Sequence, residues 1–181
     1  MNIQYVGDSY DIVKRFFCEA LRALKYTVYI DPMSTDEWKS SDTRSFYKFL
    51  GVQHADACDK PGRRTALLFD PDTGLSEKKS KKHLSFVRLE QALVEQSLAH
   101  GIVFVFDQSF SRGSDLEKQK KMRHKLDLLN KGKCFGFYYN SHASFLFASS
   151  KESHLLALQR HLKKLGLPEF RIRTLGNLSD S

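Results

Sequence analysis

Two five-residue runs constrain this chain more than anything else in it: Thr65-Ala66-Leu67-Leu68-Phe69 and Ile102-Val103-Phe104-Val105-Phe106. Neither alternates polar with apolar residues. A strand that is apolar on both faces must be covered on both faces, as in a parallel sheet layered between helices. Helical periodicity surrounds the two runs. Ile12, Val13, Phe16, Phe17, Ala20, Leu21 and Leu24 recur at spacings of three and four behind Asp8 or Ser9, either of which fits an N-cap. Val87, Leu89, Leu93, Val94 and Leu98 repeat the pattern up to His100-Gly101. Ser114-Asp115-Leu116-Glu117 has the form of a capping box and opens a basic helix to about Asn130. A last helix spans 153–165 and stops at Gly166.

Further strands are expected at 3–6, 26–30 and 134–139, with weaker ones at 145–148 and 170–175. Asp42 fits the cap of a short helix stopped by Gly51, and 53–64 reads as loop. Strands alternating with helices predict an α/β chain: a three-layer sandwich with a mostly parallel central sheet of about five strands. One domain over 1–175 is expected, followed by a tail from Gly176. At 181 residues and 41% hydrophobic, the chain has material for one core. No apolar run nears the roughly 20 residues of a membrane span, and Met1 to Asp8 lacks the pattern of a secretory leader.

Cys18, Cys58 and Cys134 are odd in number and none has CxxC spacing, which argues against a structural zinc site. Cys18 falls on an apolar helical face and Cys134 starts an aromatic strand. Both read as reduced thiols of a cytoplasmic protein, expected to be a monomer. Lys and Arg total 29 against 21 Asp and Glu, a formal charge of +8. That balance favours a polyanionic partner, nucleic acid and DNA in the first instance, rather than a membrane. Lys78, Lys79, Lys81 and Lys82 form one basic segment. Arg112, Lys118 and Lys121 belong to another.

Strand after strand ends in a polar residue: Asp8, Asp31, Asp70 with Asp72, Asp107 with Gln108, and Asn140 with His142. In an open α/β sheet the carboxyl ends of parallel strands line the ligand crevice. Asp and Asn also serve as turn formers and helix caps, so each of these residues has a purely structural alternative. The sharpest segment is Asp70-Pro71-Asp72-Thr73-Gly74. Its proline stiffens the turn, and a stiff turn suits a carboxylate that must orient water or offset a developing positive charge. Asn140 could read a base edge, His142 could steady a leaving anion, and Phe69 could stack. There is no GxGxxG and no P-loop.

The order Leu68-Phe69-Asp70-Pro71-Asp72, then Asn140-Ser141-His142-Ala143-Ser144, resembles the two motifs of the uracil-DNA glycosylase superfamily. The resemblance implies that the carboxylate of Asp70-Pro71 assists water at the sugar. It also implies that His142 and Ser144 contact DNA and the leaving base. Asp72 stands where that family has an aromatic residue, and the prolines of the second motif are absent. A second, shorter resemblance is to Rossmann-type amino-methyltransferases, whose Asp/Asn-Pro-Pro-aromatic motif also follows a strand. The function expected is glycosylase-type hydrolysis of a base N-glycosidic bond after base flipping, without metal or organic cofactor. Asp70, Asp72 and His142 would be catalytic. Asp8, Phe69, Asp107, Gln108 and Asn140 would hold substrate. The alternatives are a methyltransferase, a metal-dependent nuclease, or a nucleic-acid-binding module without activity.

Overall fold

The computed structural model describes residues 6–33, 39–58, 64–77, 83–95, 101–110 and 113–178. The elements in chain order are α1 (Ser9–Ala23), β1 (Thr27–Asp31), α2 (Ser40–Leu50), β2 (Gln53–His54), β3 (Thr65–Phe69), β4 (Leu75–Ser76), β5 (Leu84–Ser85), α3 (Phe86–Glu95), β6 (Ile102–Phe106), α4 (Asp115–Lys131), β7 (Phe135–Tyr139), β8 (Phe145–Ser149), α5 (Glu152–Lys164) and β9 (Ile172–Arg173).

Among the described residues the main sheet has seven strands in the order β2-β1-β3-β6-β8-β7-β9, and β4 pairs with β5 in a small separate sheet. The α/β sandwich is as expected. The sheet is longer and more mixed than a parallel sheet of five. From β2 to β6 it is parallel; β8, β7 and β9 add antiparallel pairings. The cause lies in the connection 140–144. A parallel crossover needs a dozen residues or more, so five residues can only reverse the chain. β8 then slots between β6 and β7, bonding to both.

Side chains alternate across the sheet as the period of two requires. Ile30, Leu68, Phe104, Phe137 and Phe147 face a core built with Phe17, Leu21, Phe46, Leu50, Leu155, Leu158 and Leu162 of α1, α2 and α5. Leu67, Phe69, Val103, Val105 and Leu146 face a second core with Leu89, Leu93, Met122, Leu126 and Leu129 of α3 and α4. β3 and β6 are buried along their whole length, as their uninterrupted apolar runs require.

Helix ends follow the sequence signals in part. Asp8 caps α1, and the Ser114–Glu117 capping box opens α4. Asp42 is not the cap of α2: Lys39 holds that place and Asp42 lies in the first turn. The expected loop at 53–64 contains β2 and a short 3-10 turn, Ala55–Ala57. The last expected strand shrinks to β9 between two 3-10 turns. The tail does not begin at Gly176. Leu178 is 4% exposed in the second core, and its carbonyl accepts from Arg123. The strand expected at 3–6 falls almost entirely on 1–5, outside the described residues. No described helix is long and apolar enough to cross a membrane.

Candidate functional site

β1, β3 and β6 are parallel, and β6 and β7 are both antiparallel to β8. Four carboxyl ends therefore open on one edge of the sheet. Asp31, Asp70, Asp107 and Asn140 share that rim, as the strand-end pattern predicts. Alternation then sends neighbouring rim residues to different faces. Asp70 follows Leu68 toward α1, and Asp107 follows Val105 toward α4.

On the α1 face, Asp70 is 2% exposed and pairs with Lys14 at 2.8 Å. Lys14 also meets Asp11 at 2.9 Å, and Asp11 accepts from the Gly7 amide. Burial pulls the Lys14 ammonium toward neutrality, but Asp70 and Asp11 outweigh it and hold its pKa above the usual lysine value. Burial pushes the Asp70 carboxyl above the usual range, and Lys14 offsets only part of that; the Asp11 charge adds to the rise. Asp8 accepts from the Tyr10 and Asp11 amides. The first amides of α1 are thus satisfied within the chain, and Asp8 serves as a cap.

On the α4 face, Asp107 is 1% exposed and gathers five bonds. Oδ1 accepts from the Leu75 amide, the Ser109 amide and the Ser109 hydroxyl; Oδ2 accepts from Lys125 and from the Tyr138 hydroxyl, each at 2.8 Å. Lys125 also donates to the Leu75 carbonyl and the Ser109 hydroxyl, both at 2.6 Å. Burial lowers the Lys125 pKa despite the charge of Asp107. Burial, then the charge and bond of Asp107, raise the Tyr138 phenol well above its ordinary value, so it remains a donor. Gly74 passes so close that a Cβ there would lie 2.2 Å from the Asp107 carboxylate, at a φ of +86°. This knot ties the aspartate-proline turn, the end of β6, the end of β7 and α4 together.

Two clefts open on the rim above it. The first, about 490 Å³, is lined from several elements, among them Gln108, Lys118, Asn140, His142, Arg171 and Arg173. Tyr10, Phe110 and Phe170 also line it. His142 is exposed, its ring 5.6 Å from that of Tyr10. The amide nitrogen of Gln108 and Nε of Arg173 are buried without a hydrogen-bond partner. The second cleft, about 590 Å³, is lined by Asp72, Thr73, His83, Lys121 and His124 among others. There Thr73 is hydrogen-bonded to His83, and His124 to Glu77 at 2.8 Å. Gln108 borders both clefts.

The expected site residues thus divide. Gln108, Asn140, His142 and Lys118 share the first cleft, with the Asp107 knot at its base. Ser144 lines it too, its hydroxyl donating to the Ser141 carbonyl. Exposed Asp72 and Lys121 border the second. Asp70 is locked against Lys14 and lines neither. Phe69 is 3% exposed in the second core beneath Arg88, so its place is packing rather than stacking. Lys78, Lys79, Lys81, Lys82 and Arg112 lie outside the described residues. Sequence reasoning missed Lys14, took Lys125 only as one charge of a basic helix rather than a buried partner, and missed Tyr10, Arg171 and Arg173. The first two carried a signal: Lys14 sits in register with Phe17, Cys18 and Leu21, and Lys125 with Met122 and Leu129, each a charge inside an apolar stripe.

Burial drives the Cys18 thiol up to about 12 and also raises Cys134, so neither forms a ready thiolate. Among the described residues no three His, Cys, Asp or Glu side chains are grouped to hold a metal ion. Comparison with family models, with curated proteins and with solved structures gives no match.

Proposed function

We propose that the protein binds nucleic acid and receives one base, drawn out of its stack, in the cleft bounded by Gln108, Asn140 and His142. The observation that carries this reading is the make-up of that cleft. Carboxamides can pair a donor and an acceptor with a base edge, and Gln108 and Asn140 both line this cleft. The rings of Tyr10, His142 and Phe170 suit base stacking. Lys118, Arg171 and Arg173 suit phosphates, with Lys118 also paired to the exposed Asp115 of the same cleft at 3.6 Å. The overall charge of +8 favours the same partner.

The chemistry that fits is hydrolysis of the N-glycosidic bond. Water oxygen bonds to the sugar carbon and loses a proton to the carboxylate, the C–N bond breaks, and the base departs with its electrons and takes up a proton in turn. Asp72 is exposed and lines the adjoining cleft, which favours it as the carboxylate that orients water over Asp70, which is buried against Lys14. His142 contacts the leaving base. The test incubates single- and double-stranded DNA carrying normal and modified bases with the protein and weighs released bases by mass spectrometry. Release should be lost in Asp72→Asn with binding retained. Release that persists in that variant removes the chemical assignment, and binding without release leaves a binding module. Affinity unchanged between about 50 and 200 mM salt removes the nucleic-acid reading.

A further inference from the structure

The two clefts are neighbours with one wall between them. Gln108 borders both, and α4 runs along the other side. Lys118 and Gln119 of α4 face the first cleft; Lys121, His124 and Lys125 face the second. Lys118 and Lys121 stand three residues apart, about 4.5 Å of helix rise. Two cations that close together can flank a single phosphate. Each cleft also offers rings: Tyr10, His142 and Phe170 in the first, His83 and His124 in the second. In the second, among the described residues, Glu77 is engaged by His124 and Lys125 by Asp107, while Lys121 and Asp72 are exposed.

We infer that the clefts take two consecutive unpaired nucleotides, one base on each side of Gln108, with the phosphate between them on the Lys118–Lys121 face of α4. The inference rests on the nucleic-acid reading above and adds a site size and a strand state. Stacked bases leave no room for a side chain between them. A Gln108 wall between two bases therefore requires a strand that is single or locally opened.

The test is calorimetric titration of the full chain at about 50 mM salt, where phosphate contacts are strongest. The ligands are a nucleoside 5′-monophosphate, a 5′-phosphorylated dinucleotide and a trinucleotide, in deoxy and ribo series. Affinity should rise about tenfold or more from one nucleotide to two, as a second stacked base implies. From two to three it should rise no more than about threefold, the increment of one more phosphate. Lys121→Gln should abolish the gain from the second nucleotide, with circular dichroism confirming that the variant is folded. Equal affinity for one and two nucleotides in both series, or an undiminished gain in Lys121→Gln, overturns the two-nucleotide site and leaves the single-base cleft standing. No binding of any of these ligands overturns both.

Discussion

Lys14 and Asp70 are bonded to each other, yet removing one should be far worse than removing the other. Lys14 is 3% exposed, and its ammonium answers two carboxylates, Asp70 at 2.8 Å and Asp11 at 2.9 Å. Lys14→Met leaves both acids buried without a counter-charge. Breaking a buried pair in this way costs about 3–5 kcal/mol. In a chain of this size each kcal/mol moves the melting temperature by roughly 2–4 °C, so a fall of about 6–20 °C is expected. Asp70→Asn keeps the shape, leaves Lys14 paired with Asp11, and removes the surplus negative charge. Its cost should be about 1 kcal/mol or less, since the lost ion pair is offset by a cheaper desolvation. Urea unfolding of both variants, followed by circular dichroism, measures the contrast. If Asp70→Asn proves as damaging as Lys14→Met, the cluster does not carry one acid too many.

Other expectations follow from the same geometry. Asp107→Ala strands the Lys125 ammonium, the Tyr138 hydroxyl and the Leu75 amide in the interior, and should lower stability by about 3–5 kcal/mol in urea titration. Gly74→Ala combines a positive φ with a Cβ that would also lie 2.7 Å from the Gln108 amide; about 3 kcal/mol of destabilisation is expected, read from the same curves. Because the Asp70 pKa is raised on folding, its contribution is full below the ordinary carboxyl value and fades as pH climbs through the raised value. Stability measured upward from about pH 4 should therefore decline less steeply in Asp70→Asn than in the parent. Lys14 behaves oppositely in range: its contribution holds below the ordinary lysine value and is lost as pH rises above it, so Lys14→Met should flatten the alkaline limb.

The layers of the fold were legible because local signals agreed. Thr65–Phe69 and Ile102–Phe106 could only be strands covered on both faces, and the stripes of α1, α4 and α5 supplied the cover. The reversal at 140–144 was also readable from its length, whereas nothing local reveals that β8 inserts between β6 and β7; that choice depends on which edges remain open. The rim was foreseen from strand ends alone. Which carboxylates are buried in ion pairs and hydrogen bonds was not, because it depends on partners far along the chain: Lys14 is 56 residues from Asp70, and Tyr138 is 31 from Asp107. Arg171 and Arg173 reach the first cleft through β9, a two-residue edge strand too short to announce itself by pattern.

The position of β8 has a consequence for the growing polypeptide. β6 and β7 do not pair with each other; each bonds one side of a strand made after both. Until residue 149 has been synthesised, two long apolar ribbons keep a bare hydrogen-bonding border, the kind of border that pairs with neighbouring molecules. A chain cut between 140 and 144 should therefore aggregate rather than persist as a smaller soluble sheet, and a peptide spanning 145–149 added in trans is the natural way to rescue it.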